Sequence, residues 1–271
     1  FEDTVIEVPS EIRLDYKRVF SSNLKGDINR IKNNFSLGTN LKKVFLDLKK
    51  PSLDDQRSDW GRIKDGLSSK KIENISNLKT SLEILKKIPV LIREANFKIT
   101  VILYNNEIIN IEKGDTTKSS YGIAFDVGTT TVAGYLVDLN TGEELSAVAK
   151  ANPQIIYGDD VISRIGFAQN QKGNLEILQR EIVNALNEII KETAQKAGVD
   201  TNNIYKITIA GNTCMHHLLL GLNPSYIAPS PYILVIKESL SLKVKDVPGL
   251  SINPTAHIYI LPNISAFVGA D

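Results

Sequence analysis

The most informative segment of the chain reads IAFDVGTTTVAGYLVD and spans residues 123–138. An apolar run enters Asp126, a tight Gly-Thr turn follows, and a second apolar run leaves the turn, which predicts strand, turn and strand. A P-loop is excluded because the segment lacks the Gly-x-x-x-x-Gly-Lys pattern. A dinucleotide-binding fingerprint is excluded because no helix is predicted directly after the glycine.

The turn contains the residue types that an anion site requires. Gly128 allows close backbone approach, and successive N–H groups together with the hydroxyls of Thr129 and Thr130 can donate to phosphate oxygens. Asp126 at the strand end suits a hydrated Mg²⁺, which takes few protein ligands. Thr131 completes the set of cofactor-binding candidates, although its place in the outgoing strand favours turn stabilisation. The alternative is a plain hairpin with a threonine-rich turn.

A second candidate segment is Gly211-Asn212-Thr213. It follows a β-branched strand predicted over 204–210 and precedes a helix predicted over 213–221, which is where α/β sheets bind ligands. Gly211, Asn212 and Thr213 are therefore cofactor-binding candidates, and Asn212 joins Asp126 as a catalytic candidate that would orient phosphate or the attacking water. Helix N-capping is the alternative role for Asn212 and Thr213.

Periodicity predicts two α/β regions around a polar boundary at residues 114–120. In the first, a strand over 43–48 precedes a helix over 77–94 and a hairpin of strands 97–104 and 107–111. One face of that helix is predicted to carry Leu78, Leu82, Leu85, Ile88, Leu91 and Ile92, with a kink or division at Pro89. The second region is predicted to contain strands over 121–127, 131–138, 144–150, 204–210 and 256–261, and helices over 160–169 and 174–197.

Composition excludes several classes of protein. The single Cys214 excludes a disulfide framework and a self-contained iron–sulfur site, and we expect it to be a buried small residue. A net charge of +1 without basic–aromatic interleaving argues against nucleic-acid binding. No apolar run approaches the roughly 18 residues of a membrane span, and no signal-peptide pattern is present. We therefore expect a cytoplasmic protein without nucleic-acid or membrane partners.

Four other residues have simple structural interpretations. Asp160 precedes a predicted helix and is expected to cap it. His216 and His217 are adjacent, so on a helix they point about 100° apart and do not readily share a metal. Trp60 is expected to anchor the first region.

Separated motifs resemble one known family. Asp126-x-Gly128-Thr129-Thr130 between two strands resembles the first phosphate motif of the actin–sugar kinase–Hsp70 superfamily. The wider pattern is similar to one branch of it, the ATP-dependent reductive activators of corrinoid proteins. The segments that carry this likeness are Pro51-Ser52-Leu53-x-Asp55-x-Arg57-Ser58-Asp59, Asn152-Pro153-Gln154, Tyr157-Gly158-Asp159-Asp160-Val161, Ser163-Arg164-Ile165, Gly211-Asn212-Thr213-x-Met215-His216-His217-Leu218 and Leu261-Pro262-Asn263-x-x-x-Phe267-Val268-Gly269-Ala270-Asp271.

The resemblance implies a three-part protein: a ferredoxin-type domain with a two-iron two-sulfur cluster, a linker and middle domain, and an ATPase domain of two ribonuclease-H-like halves. ATP hydrolysis would drive electron transfer to Co(II) of a corrinoid that serves methyl transfer, regenerating Co(I). We expect this chain to be a fragment with a linker segment over 1–34, a small α/β middle domain over 35–117 and the first ATPase half over 118–271.

The implied cofactors are ATP and Mg²⁺, with Mg²⁺ bound to Asp126 through water and the iron–sulfur cluster only in the missing N-terminal domain. The implied partner is a corrinoid protein, and a homodimer is a further alternative. Asp271 matches a family position near the cleft. Half a cleft is expected to be inactive alone. The alternatives are a kinase or phosphatase of the superfamily, an activator of another enzyme, and a non-catalytic interaction module.

Overall fold

The structure is a computed structural model, which describes residues 40–72, 74–266, 268 and 269. The predicted linker segment, residues 1–34, and Asp271 lie outside these residues. The described residues form a sheet of four strands and a sheet of six, with helices packed on both. This confirms the predicted α/β class. No helix within the described ranges is long and apolar enough to cross a membrane.

A small sheet and two helices are formed by the described residues that precede residue 114. Its elements are β1 (Leu41–Asp47), α1 (Asp59–Ser69), β2 (Lys79–Thr80), α2 (Leu82–Glu94), β3 (Lys98–Tyr104) and β4 (Glu107–Lys113). The strands lie in the order β1-β3-β4-β2, and the predicted hairpin of β3 and β4 is confirmed. Trp60 packs at the edge of the core that α1 and α2 share with the sheet, as expected.

Helix α2 corrects the prediction made for residues 77–94. It begins at Leu82 because Ser81 caps it, with Ile84 N–H donating to Ser81 Oγ at 3.3 Å, and because the preceding residues pair with β4. The predicted apolar face is confirmed in part: Ile88 and Ile92 are buried, but Leu82 is 66% exposed, and Ile84, which was not predicted, is the third buried side chain. The helix continues through Pro89 without division. The sequence carries two overlapping apolar stripes, and packing on the sheet selects the one with four-residue spacing.

The second region is a larger α/β unit. Its elements are β5 (Tyr121–Val127), β6 (Thr131–Asp138), β7 (Glu144–Ala151), α3 (Val161–Asn170), α4 (Asn174–Ala197), β8 (Ile204–Gly211), α5 (Thr213–Leu220), β9 (Leu240–Lys243) and β10 (His257–Ile260). The strand order is β7-β6-β5-β8-β10-β9. Strands β5, β6 and β7 form an antiparallel meander, whereas β8 and β10 continue the sheet in parallel with β5. This is the ribonuclease-H-like arrangement that the resemblance implies.

Helix α4 covers one face of the large sheet. Its stripe of Leu178, Ile182, Leu186 and Ile189 is fully buried and packs on strand residues such as Phe125. Because successive strand side chains point to opposite faces, the burial of Phe125 places its neighbour Asp126 on the other face. Asp126 therefore lies outside the core, at the carboxyl end of β5.

The two sheets meet at a cluster that we call the sheet junction, formed by Lys43, Glu112 and Tyr205. Lys43 Nζ lies 2.8 Å from Glu112 Oε2 and 4.8 Å from the centroid of the Tyr205 ring. The Tyr205 hydroxyl donates to Glu112 Oε1. Burial is the main cause, and the Glu112 carboxylate a further cause, of a raised pKa for Tyr205. The buried charges of the junction are thus paired within the chain.

Candidate functional site

Two turns leave the same edge of the large sheet. Strands β5 and β8 are parallel neighbours, with Val127 opposite Gly211 in register. The Gly-Thr turn, defined as Gly128–Thr130, therefore lies beside the backbone that follows Gly211. Asn212 Nδ2 donates to Thr129 Oγ1 at 3.0 Å. The fold thus brings together the two segments that the sequence identifies as candidates.

The carbonyl groups of the Gly-Thr turn all face the protein. Asn152 Nδ2 donates to Gly128 O at 2.9 Å, Arg164 Nη2 donates to Thr129 O at 2.6 Å, and Asn152 N–H donates to Thr130 O at 2.8 Å. Asn152 and Arg164 are fully buried. The turn is consequently fixed from behind by side chains that water does not reach.

The amides of the turn point the other way. In a trans peptide the C=O and the following N–H are antiparallel, so inward carbonyls on Gly128 and Thr129 direct the N–H groups of Thr129 and Thr130 outward. No hydrogen bond between described residues occupies either of these N–H groups. Thr129 is half-buried and Thr130 is exposed. Adjacent outward N–H groups form a concavity suited to an anion such as phosphate.

Asp126 lies next to this concavity and is exposed. Ala133 of β6 and Ala210 of β8 flank it in register, so its neighbours are small. Burial, with the charge of Asp126 as a further cause, raises the pKa of Tyr135 on the same face. One exposed carboxylate beside an anion site fits a hydrated Mg²⁺ that also binds the anion. Among the described residues, no group of three or more His, Cys, Asp or Glu side chains could hold a metal.

Asn212 serves helix α5 and the Gly-Thr turn together. Its Oδ1 accepts from Met215 N–H at 3.1 Å, so Asn212 has the N-cap role that was given as its alternative, while its Nδ2 reaches Thr129. The backbone around it is closely packed: a Cβ on Gly269 would lie 1.9 Å from Gly211 O. Only a residue without a side chain fits there, so the backbone of Gly269 lies directly against that of Gly211.

The remaining two threonine candidates contact backbone. Thr131 O accepts the Gly128 N–H at 2.9 Å, which closes the turn. Thr213 is fully buried, and its hydroxyl donates to Ser265 O. A second acceptor, Val268 O, lies 3.4 Å from the same hydroxyl oxygen. Thr213 therefore fastens the C-terminal loop to α5. Contact of Thr131 or Thr213 with a ligand stays a prediction.

Sequence reasoning gave no role to Asn152 and Arg164, the two side chains behind the turn. Both occur in segments that carry the family resemblance, which is the sequence feature that could have identified them. No feature of the sequence indicated that these two polar side chains are buried. The position of Arg164 follows from the start of α3, where Asp160 forms a capping box with Ser163, as predicted for Asp160. Arg164 then falls on the inner side of the first helical turn.

The histidines and the cysteine of α5 have packing roles. His216 Nδ1 lies 2.8 Å from Asn263 Oδ1. His217 Nδ1 lies 2.7 Å from Thr213 O, and its Nε2 accepts from Val235 N–H at 3.1 Å. Cys214 is buried as expected, and burial raises the pKa of its thiol to about 12.

These features define an α/β protein of ribonuclease-H-like topology with a turn of outward N–H groups beside a carboxylate. The chain belongs to the RACo family: the family model of the RACo middle region matches residues 121–271, and that of the RACo linker region matches residues 30–118. This confirms the family resemblance seen in the sequence. The small domain predicted over 35–117 thus corresponds largely to what the family calls the linker region.

Two relatives show how much of the family protein is present. The corrinoid activation enzyme RamQ of Eubacterium limosum is 41% identical over 175 residues, which cover 64% of this chain and 29% of RamQ. A solved structure of a reductive activator for corrinoid, iron-sulfur protein matches with a TM-score of 0.77 and 34% identity, covering 87% of this chain and 38% of the activator. The chain therefore spans about a third of the length of these relatives.

Proposed function

We propose that this chain supplies the phosphate-binding half of a nucleotide cleft, together with the small domain, in a protein that uses ATP to return a Co(II) corrinoid protein to Co(I). The observation that carries the proposal is the Gly-Thr turn, whose outward N–H groups lie beside Asp126. The names of the two relatives support a corrinoid protein as the target.

Each residue of the site has a separate task in this proposal. The N–H groups of Thr129 and Thr130 bind phosphate oxygens, and Asn212 holds the Thr129 hydroxyl toward the same space. Asp126 accepts hydrogen bonds from water on Mg²⁺, and the ion supplies neutralisation of phosphate charge when it is bound. The small side chains beside Asp126 leave room for those waters.

The proposed function comprises two reactions, ATP hydrolysis and the one-electron reduction of Co(II), and the electron donor lies outside this chain. Water attacks the terminal phosphorus, the bond to the bridging oxygen breaks, and ADP and phosphate leave. Separately, Co(II) of the partner protein would accept one electron and become Co(I), and the iron–sulfur cluster expected in the ferredoxin-type domain would supply that electron. Closure of the cleft around ATP would couple the two events by changing how the domains dock.

The test is Asp126→Ala in the intact protein with Mg-ATP and a Co(II) corrinoid protein. We expect ATP hydrolysis to fall about 100-fold or more, and the ATP-driven appearance of Co(I) absorbance to fall with it. Asp54→Ala is the matched control, because Asp54 is an exposed aspartate of the small region, and it should leave both rates unchanged. Wild-type hydrolysis in the Asp126 variant would refute the assigned role and favour the interaction-module alternative.

A further inference from the structure

Arg164 lies directly beneath the Gly-Thr turn and contacts neutral acceptors. It is fully buried. Its guanidinium donates to Thr129 O at 2.6 Å, Gly158 O at 2.9 Å, Gln154 Oε1 at 3.3 Å and Met215 Sδ at 3.4 Å. The contact with Thr129 O is the shortest of the four. A guanidinium carries a full positive charge at any ordinary pH, so these contacts engage four of its five N–H donors without neutralising it.

Two other cations that are buried among the described residues each have a carboxylate partner. Lys43 pairs with Glu112 at 2.8 Å, and Arg62 pairs with Asp55 at 2.8 Å. Across the described part of the chain, Arg164 forms no ion pair. The Asp160 carboxylate on the same helix is engaged in the cap with Ser163. Burial is the main cause of a lowered pKa for Arg164, and the charges of Asp159 and Asp160, neither of which forms an ion pair with it, act in the opposite direction.

The guanidinium is held in place on several sides. Gln154, which accepts from Arg164, donates through its Nε2 to Leu178 O of helix α4 at 2.9 Å. The shortest bond goes to the peptide that joins Thr129 to Thr130, and the N–H of that peptide points outward. The Arg164 guanidinium therefore lies behind the Thr129–Thr130 peptide, whose N–H points to the outer side of the turn. An anion bound there meets the N–H group and the charge behind it.

We propose that Arg164 is a positioning residue whose buried charge is balanced by the phosphate groups of the bound nucleotide, so that the Gly-Thr turn is electrostatically complete only when an anion occupies it. The inference rests on the proposed function, since the anion is the phosphate chain of ATP. Arg164 acts through the Thr129–Thr130 peptide and does not itself touch the ligand.

The experiment compares Mg-ATP affinity and thermal stability for the intact wild type, Arg164→Lys and Arg164→Gln. Loss of the charge in Arg164→Gln should raise the Kd for Mg-ATP at least about tenfold, because a buried charge attracts nearby phosphate through surroundings that screen it less than water does. Arg164→Lys keeps the charge and should retain affinity within about threefold. The matched control is Arg62→Gln, which removes a buried cation that has its own carboxylate and should lower Tm without changing the Kd.

Each outcome bears on one claim. Wild-type affinity in Arg164→Gln, or equal losses in the Lys and Gln variants, overturns the charge-balancing role while leaving the proposed function intact. Failure of the wild type to bind Mg-ATP overturns the proposed function itself. If both variants fail to fold, the test is made on the wild type. Tripolyphosphate should raise its Tm above the value in sodium chloride of equal ionic strength. Equal Tm values in the two salts would overturn the inference.

Discussion

The sheet junction and the Gly-Thr turn each bury a cation, Lys43 in one and Arg164 in the other, but they treat its charge differently. Lys43 has the Glu112 carboxylate at 2.8 Å, and Tyr205 donates to the same carboxylate. Arg164 has three oxygens and a sulfur, all neutral. The junction is complete within the chain, as expected of a structural contact. Behind the outward N–H groups of the turn, the Arg164 charge has no ion-pair partner among the described residues, as expected of a binding site.

The largest expected effect is at the junction. Glu112→Gln leaves the Lys43 ammonium, whose side chain is 2% exposed, without its carboxylate. Breaking a buried pair by removing one partner should lower the free energy of unfolding by about 3 kcal/mol, measured by urea denaturation. The double variant Lys43→Met with Glu112→Gln should recover part of that loss, because no buried charge is left.

A control distinguishes this pair from ion pairs in general. Asp47 and Lys98 form an exposed pair at 3.9 Å, so Asp47→Asn should leave unfolding unchanged within error. If Glu112→Gln also left the free energy of unfolding unchanged, the stability of the junction would not depend on its ion pair. The contrast drawn with Arg164 would then be wrong.

An intermediate effect is expected at Asn212, where helix capping and contact with the turn can be separated. Asn212→Ala removes both the cap and the bond to Thr129, and should cost about 1 kcal/mol of stability as well as ATP affinity. Asn212→Ser retains a capping oxygen but is too short to reach Thr129. It should keep wild-type stability in urea and still weaken Mg-ATP binding. Undiminished binding in the Ser variant would mean that Asn212 is only a cap.

The smallest expected effect is a pH dependence shared by both regions. His217 holds Val235 near helix α5, and His257 stacks on Tyr104 at 3.8 Å where the two sheets meet. Burial is the main cause of the lowered pKa of each histidine, with Lys243 a further cause for His257. Both are therefore neutral in the folded protein at pH values where the unfolded chain, with a pKa of about 6.5, already binds protons.

The direction in which stability changes with pH follows from proton binding. Just below pH 6.5 the unfolded state binds more protons, so stability is complete above about pH 6.5 and falls as the pH drops toward the folded-state pKa. Urea unfolding at about pH 7.5 and about pH 5.5 should show a lower midpoint at the acidic value. His217→Gln should reduce that difference, and an unchanged difference would assign the whole effect to other groups.

Local patterns predicted much of the fold. The meander β5–β7, the helix Asn174–Ala197 and the hairpin of β3 and β4 follow from alternation, from a three-to-four spacing and from turn residues that are adjacent in sequence. Helix α1 was missed because its apolar signal is weak. Its buried residues are Arg62, Ile63 and Leu67, and the burial of Arg62 depends on the Asp55 carboxylate.

The chemistry of the Gly-Thr turn resides in a few consecutive residues, so the sequence alone identifies Asp126, Gly128, Thr129 and Thr130 as candidates. It does not determine the direction of the turn's amides, because that direction depends on Asn152 and Arg164, which reach the turn from 24 and 35 positions away along the chain. A sequence specifies which groups a turn contains. Which of those groups face the ligand is decided by packing, since a buried donor must find an acceptor and thereby turns the other side of the peptide toward water.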